Sequence, residues 1–383
     1  MNILSNFHFF RRAFGLLWVA ASLPFLTVGH LPASAADRAL LAPPTNVIVR
    51  NATRFKNTPD LSSYGFKSIV VAYENSLWPS GGDKSQPDTA FIANNYIPKI
   101  RNAKPDVVVI DIEAPGWLFT ATMTAAEVTA SINKFKKVLE VFRRELPNTK
   151  LGLYWVLPER NWLAACGDPK KIASRTASWH ERNLRLQPLA DAVDIVFPSL
   201  YTFYEDAASV ACWPTYAEKN IAEARIYGKP VWVFLWMKYH TTSNWIPATQ
   251  WRTQLETVGA KADGMVIWSR ASDGDSWSFT APWWVETAAF LSRSTAGSCS
   301  VRQPSSRLTA CAAATVPVFN KATAAAAPRA AASTLAPKAM TGAKSPSSII
   351  IVNTAGARPL GLDSSEDEGW EELDEISEQA PVQ

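Results

Sequence analysis

The sequence predicts an α/β fold, a TIM-like (β/α) barrel with seven strands, from three observations. Between residues 44 and 293, short β-branched or aromatic segments alternate with helix-like segments, giving seven units over about 250 residues, the usual length of such a barrel. Strands that are apolar throughout and alternate with helices are typical of a parallel sheet buried on both faces. No G-x-G-x-x-G motif follows the first strand, which counts against a dinucleotide-binding open sheet.

The strand and helix segments follow one another in regular order. The predicted strands are 46–50, 68–73, 106–113, 150–157, 192–201, 229–238 and 264–269. The predicted helices are 88–102, 124–145, 169–186, 215–226, 247–258 and 282–291. Thr124 and Glu127 form a capping box, which marks the start of the second of these helices.

Three regions are expected along the chain. Residues 1–35 have the basic start, apolar run and small-residue end of a bacterial-type signal peptide cleaved after Ala35. An uncleaved anchor and a twin-arginine signal at Arg11 and Arg12 are the alternatives. Residues 36–293 hold the barrel, and residues 294–383 form an Ala-, Pro- and Ser-rich, disordered extension with an acidic end. We therefore expect a secreted or periplasmic protein with no stable membrane span in the mature chain.

Composition and charge exclude several functional classes. The net charge of +4 gives no argument for nucleic acid as a partner. No Gly-rich phosphate loop and no Cys/His cluster is visible, so we expect no cofactor and no metal. The chain contains 16 Trp residues, which indicates either a large aromatic core or a surface that stacks on sugar rings or bases. The oligomeric state is left open.

The cysteines predict disulfide bonds if the chain is exported. Four cysteines allow three pairings. Cys166 and Cys212 follow adjacent predicted strands, whose loops emerge at the same rim, so we expect Cys166 to pair with Cys212. The remaining pair, Cys299–Cys311, would close a short loop behind the last helix. Four unpaired thiols are the alternative.

Acidic and aromatic side chains gather where the predicted strands end, which is the catalytic face of a β/α barrel. Asp111 and Glu113 are two residues apart, so both point to one face, about 7 Å apart. Burying two carboxylates there is unfavourable unless they have a function, and binding loop amides or capping the next helix is the structural alternative. The other strand ends contribute Tyr73, Tyr154, Trp155, Glu159, Tyr201, Tyr204, Trp236, Lys238 and Trp268. Aromatic rings beside carboxylates indicate a sugar-binding cleft, with a polysaccharide or oligosaccharide as the partner.

The order of three motifs resembles the hyaluronidase family (glycoside hydrolase family 56). They are D-x-E at Asp111 and Glu113, P-S-x-Y ending at Tyr201, and I-W-S around Trp268. The resemblance implies a distorted seven-stranded barrel that hydrolyses hyaluronan-, chondroitin- or chitin-like N-acetylhexosamine glycans with retention. It implies that Glu113 is the general acid/base and that Asp111 orients the substrate acetamido group, which is the internal nucleophile. Tyr201 and Trp268 would shape the acetamido pocket, and Tyr73 matches a tyrosine of the second strand. A weaker resemblance is to chitinase-like family 18, whose members also use a D-x-E motif in substrate-assisted hydrolysis.

Two other functions fit the same residues. An ordinary two-carboxylate glycosidase would use Glu113 as the acid and Glu74, Glu159 or Glu205 as its partner. A non-catalytic barrel would bind glycan without cleaving it, since a fold alone does not separate these functions.

Overall fold

The structure is a computed structural model that describes residues 47–300, with side chains to residue 294, and the backbone of Ile351–Val352. The predicted signal peptide, the Cys299–Cys311 pair and most of the predicted extension lie outside the described residues. None of the described helices is long and apolar enough to cross a membrane.

Six parallel strands form one curled sheet in the order β4-β3-β2-β1-β6-β5, so that the first strand lies inside the sheet. The strands are Ile48–Ala52 (β1), Lys67–Tyr73 (β2), Val107–Asp111 (β3), Lys150–Leu153 (β4), Trp232–Trp236 (β5) and Gly264–Trp268 (β6). A two-residue strand, Ile351–Val352 (β7), pairs antiparallel with β2. Every residue of β5 and the first four of β3 are buried, as expected for strands covered on both faces.

Helices follow the strands and cover the sheet, as the sequence predicts. They are Thr89–Phe91 (α1), Ile97–Arg101 (α2), Ala125–Glu145 (α3), Leu163–Cys166 (α4), Ile172–Leu184 (α5), Gln187–Ala190 (α6), Ala207–Ala224 (α7), Ala248–Lys261 (α8) and Pro282–Ser300 (α9). A π-helical turn, Ile92–Tyr96, joins the first two. The capping box of Thr124 and Glu127 at the start of α3 is confirmed.

The predicted fifth strand, 192–201, is not a regular strand, so the parallel sheet has six strands rather than seven. Residues 196–202 form isolated parallel bridges to residues on both sides instead. These bridges are Tyr154↔Phe197, Val196↔Val231, Ser199↔Phe234 and Thr202↔Tyr239. Pro198 has no N–H group to donate, so a continuous hydrogen-bond ladder cannot form through this segment.

Gly152 in β4 explains how closely this irregular segment approaches the sheet. A Cβ atom at Gly152 would lie 2.3 Å from Cε2 of Phe197 and 2.5 Å from the carbonyl oxygen of Ile195. Both distances are far below van der Waals contact, so only glycine fits here. The absence of a side chain therefore lets residues 195–197 pack directly against β4.

Two predicted boundaries also differ. Strand β4 ends at Leu153 because Trp155 has a φ of +61°, in the left-handed region that a strand cannot use. Helix α7 begins at Ala207 rather than at 215 because Asp206 caps it, its side chain accepting from the Ser209 N–H. Pro214 lies inside this helix rather than before its start.

Most tryptophans belong to the core. Six of them are among the largest fully buried side chains: Trp78, Trp117, Trp179, Trp213, Trp236 and Trp251. Trp245, by contrast, is 46% exposed. The large aromatic core that the tryptophan count predicts is therefore confirmed for these six residues.

Candidate active site

Two carboxyl groups meet at the end of β3. Asp111 is the last residue of β3, in register with Tyr73 at the end of β2, and Glu113 follows two residues later. The Asp111 carboxyl group is hydrogen bonded to that of Glu113, while its Oδ1 atom is buried with no hydrogen-bond partner among the described residues. Burial, followed by the charges of Glu113 and Glu74, raises the pKa of Asp111 well above its usual value. This arrangement favours a pair of carboxyl groups that shares one proton.

Glu74 fixes the backbone of this pair. Its Oε2 atom accepts the Glu113 backbone N–H at 2.8 Å, and its Oε1 atom lies 2.7 Å from Nζ of Lys84. The Trp117 indole N–H in turn donates to the Lys84 carbonyl oxygen at 2.6 Å. The segments that follow β2 and β3 are thus joined by hydrogen bonds and an ion pair, which restrains the position of Glu113.

An aromatic wall stands beside the acid pair, formed by Tyr73, Tyr154, Tyr201, Trp236 and Trp268. Tyr201 stacks on Trp268 with ring centroids 5.4 Å apart, and Trp236 meets Trp268 edge-on at 5.2 Å. Tyr154 lies 6.1 Å from Tyr201. These residues follow or end different strand segments, so the curled sheet brings together five side chains that the sequence separates.

The three tyrosines of the wall remain protonated hydrogen-bond donors at neutral pH. Burial raises the pKa of Tyr73 to about 12, although Arg54 and the hydrogen bond from Trp268 act in the opposite direction. Burial also raises the pKa values of Tyr154 and Tyr201 well above their usual range, and the charge of Asp111 contributes to both. The Trp268 indole N–H donates to the Tyr73 hydroxyl at 2.8 Å, which leaves the phenol proton of Tyr73 to be donated elsewhere.

Lys238, a predicted substrate-binding residue, is buried in an ion-pair cluster. Its Nζ atom lies 2.9 Å from Oδ2 of Asp273 and 2.6 Å from Oδ2 of Asp275. Burial alone would lower the Lys238 pKa, but hydrogen bonds to Asp275 and Asp273 outweigh it and raise the pKa. The amine also lies 4.6 Å from the ring centre of Trp245. Lys238 therefore holds the segment after β6 against the end of β5.

Two further predicted residues make contacts outside the wall. Glu159 is paired with Arg182 of α5 at 3.0 Å. Tyr204 is 40% exposed, and its ring centroid lies 5.4 Å from that of Trp162. Glu159 thus contacts α5, and Tyr204 packs beside Trp162.

Three arginines on the aromatic residues were missed by the sequence analysis. The contacts, from guanidinium carbon to ring centroid, are Arg54 on Tyr73 at 5.5 Å, Arg160 on Trp155 at 5.3 Å and on Phe203 at 4.1 Å, and Arg270 on Trp236 at 4.8 Å. Burial and the charges of Arg160 and Arg270 lower the pKa of His240 to about 4, so this ring is neutral at pH 7. Arg54 and Arg270 each stand two residues after a strand, a position that the strand-end argument could have identified.

The Cys166–Cys212 disulfide is confirmed, with Cα atoms 6.0 Å apart. Cys166 ends α4 and Cys212 lies in α7, so the bond joins two helices rather than two loops. Arg160 and Trp162 immediately precede α4. The disulfide therefore restrains the segment that carries an arginine of the site.

The site combines a pair of carboxyl groups, three protonated phenols, of which Tyr154 donates to the Ser199 hydroxyl at 3.0 Å, and flat aromatic surfaces. A few polar groups among aromatic side chains is the usual composition of a small-molecule or sugar site. Among the described residues, no group of three or more His, Cys, Asp or Glu side chains is placed to hold a metal ion. The arrangement is suited to acid/base chemistry on a ring-shaped polar substrate.

Comparisons with known proteins give structural neighbours but no family. No family model matches the chain, and no curated protein matches it. Bee venom hyaluronidase is similar in structure, with a TM-score of 0.47 and 15% identity over 64% of this chain and 94% of that one. The same enzyme in complex with a hyaluronic acid tetramer gives a TM-score of 0.46 and 14% identity over the same shares. An endo-β-1,4-mannanase from Cellulomonas fimi gives 0.36 and 14% over 64% and 70%.

Similar solved structures thus include glycoside hydrolases. Identities of 14–15% and TM-scores of 0.36–0.47 assign neither a family nor an activity to this chain.

Proposed function

We propose that the protein is a glycoside hydrolase that cleaves N-acetylhexosamine-containing glycans by substrate-assisted hydrolysis with retention. The observation that carries this proposal is the hydrogen-bonded pair of Asp111 and Glu113 at the end of β3, beside three protonated phenols. The two carboxyl groups hold one proton between them, and the raised pKa of Asp111 places it on Asp111 in the free protein. Its transfer to Glu113 when substrate binds provides what the first step needs, an acid on Glu113 and a negative charge on Asp111.

In the first step, Glu113 donates its proton to the glycosidic oxygen, and the bond from that oxygen to the anomeric carbon breaks. The acetamido oxygen of the same sugar attacks the anomeric carbon, which gives a cyclic oxazolinium ion and a released alcohol. Asp111 accepts the acetamido N–H and stabilises the positive charge. Water, deprotonated by Glu113, then opens the ring on the same face as the original bond, so the configuration is retained.

The aromatic wall supports this role through its hydrogen-bonding capacity. Tyr201 and Trp268 provide a stacked apolar surface for the acetamido methyl group, with ring centroids 5.4 Å apart. The Tyr73 hydroxyl accepts from Trp268 and retains its own proton for a substrate oxygen. Asp111 and Glu113 approach from one strand, so they are poorly placed to flank a glycosidic bond from both sides. The acetamido group of the substrate supplies the missing nucleophile.

Hyaluronan- and chondroitin-like chains are favoured over chitin-like chains as substrates. Arg54, Arg160 and Arg270 place three guanidinium groups on the aromatic residues of the site. Guanidinium groups bind carboxylates through paired hydrogen bonds, and uronic acid units carry such carboxylates. We also propose export from the cytoplasm, which the Cys166–Cys212 disulfide favours.

The test is a panel of hyaluronan, chondroitin and chitin oligomers, scored for new reducing ends and for the anomer released first. We expect cleavage of at least one N-acetylated polymer with retention, and no cleavage of its de-N-acetylated form. The Glu113→Gln variant is the matched control, since it keeps the shape of the site. Efficient cleavage without the N-acetyl group would refute substrate assistance.

A two-carboxylate mechanism is the second candidate, and Glu74 is the carboxylate that favours it. Glu74 contacts the Glu113 backbone at 2.8 Å, and its charge contributes to the raised pKa of Asp111. Glu205, by comparison, accepts from the side chains of Thr242 and Asn244, away from the pair. Trapping a covalent glycosyl-enzyme on Glu74 would establish this alternative. Binding of an oligomer without any product would instead indicate a glycan-binding barrel.

A further inference from the structure

A second aromatic surface stands at the same strand ends, outside the aromatic wall. Trp245 is 46% exposed. The Phe55 ring lies nearly parallel to it, with centroids 6.2 Å apart at 19°, and Nζ of Lys238 lies 4.6 Å from its ring centre. Close to half of the surface of Trp245 therefore remains accessible to solvent, while Phe55 and Lys238 support the ring.

The indole is held in place before any ligand arrives. Phe55 is buried and also stacks on Trp283 at 5.2 Å. Lys238 is fixed by ion pairs with Asp273 and Asp275. A rigid exposed ring loses little conformational entropy on binding, which is what a stacking surface requires.

Trp245 lies on the same face as the acid pair. It forms an antiparallel bridge with Lys238, two residues beyond Trp236 of the wall, and the Ile246 N–H donates to the Met237 carbonyl oxygen at 3.0 Å. Around the sheet, β5 reaches β3 in three places, through the bridging segment 196–202 and β4. At about 4.8 Å per strand, this is about 14 Å along the sheet, and the curvature shortens it. A bound chain must therefore extend over several sugar units to reach both places.

We propose that Trp245, supported by Phe55 and Lys238, binds a pyranose ring of the substrate several units away from the bond cleaved at Glu113. This inference rests on the proposed function and adds a distal subsite to it. The ligand is the apolar face of a sugar unit in a long glycan, because an exposed indole offers a flat apolar ring for stacking. A short oligomer that fills only the site at Asp111 and Glu113 does not reach it.

The experiment compares Trp245→Ala, Trp245→Phe and a control, Leu184→Ala, on polymeric and on short substrates. Leu184 is 51% exposed on α5 and belongs to neither aromatic surface. For Trp245→Ala we expect kcat/KM on the polymer to fall roughly tenfold through KM, as for a typical contact hot spot, with short substrates unaffected. Trp245→Phe should keep most of the polymer activity, and Leu184→Ala should match the wild type.

Two outcomes separate this inference from the proposed function. If the wild type cleaves a polymer and Trp245→Ala does so with unchanged KM, or loses activity equally on short substrates, the subsite is refuted and the proposed function stands. If the wild type neither cleaves nor binds any glycan in the panel, both are refuted. A measurement independent of turnover compares polymer binding by the Glu113→Gln variant with binding by the Glu113→Gln/Trp245→Ala double variant. The Kd for the polymer should be roughly tenfold higher for the double variant.

Discussion

Removing the Cys166–Cys212 disulfide is expected to destabilise the fold by about 4 kcal/mol. The two cysteines are separated by 46 positions. In the chain-entropy model, a loop of that length in the unfolded chain loses about 13.5 cal/mol/K when it is closed, which corresponds to about 4 kcal/mol at 25 °C. Both side chains are half-buried, so replacing them with alanine removes little packing. For a domain of this size, the loss should lower Tm by about 8–16 °C.

Urea unfolding of the Cys166→Ala/Cys212→Ala variant, followed by tryptophan fluorescence, measures this free energy. Reductant added to the wild type should produce the same loss. Reductant added to the double variant is the control, because any further loss there belongs to Cys299 and Cys311. A double variant whose unfolding free energy stays within about 1 kcal/mol of the oxidised wild type would contradict the loop-entropy argument.

Three further changes test the site and the sheet. Glu113→Gln should lower turnover by about 10²–10⁴-fold while glycan binding persists, as measured by kinetics beside calorimetry. Asp111→Asn should lower turnover yet stabilise the protein at neutral pH. The pKa of Asp111 is raised on folding, so the folded state binds the proton more tightly than the unfolded state does. The free energy of unfolding of the wild type therefore falls as pH rises, by up to about 1.4 kcal/mol per pH unit. Equal changes of Tm with pH in the wild type and in Asp111→Asn would contradict this. Gly152→Ala should destabilise the fold by about 1–3 kcal/mol or more because its methyl group meets Phe197, whereas unchanged urea unfolding would mean that the segment relaxes freely.

The candidate site was predictable because it follows from strand ends alone. Asp111, Tyr201 and Trp268 each close an apolar segment, and parallel strands place such residues at one edge. Arg54 and Arg270 were missed because an isolated arginine after a strand has no periodic signal, and only the fold shows which ring it covers. The contacts of Glu159 and Lys238 depend on partners far away in sequence, so no local pattern separates them from residues of the wall.

The errors in the fold have local causes. A β-branched and aromatic run predicts a strand at 192–201, yet Pro198 interrupts the ladder and leaves isolated bridges. The sequence predicts a helix from residue 215, yet the cap at Asp206 begins α7 eight positions earlier. In both cases a single residue's hydrogen-bonding capacity overrides the pattern of the segment around it.

The hydrogen bond from Trp268 to Tyr73 joins residues 195 positions apart. A contact between such distant positions is made late, because the intervening chain must first be brought into a compact arrangement. During synthesis, Tyr73 emerges long before its partner, so a nascent or truncated chain that lacks residue 268 has an incomplete aromatic wall. We therefore expect the proposed hydrolytic activity to appear only once β6 has joined β1, so its onset would mark the completion of the sheet.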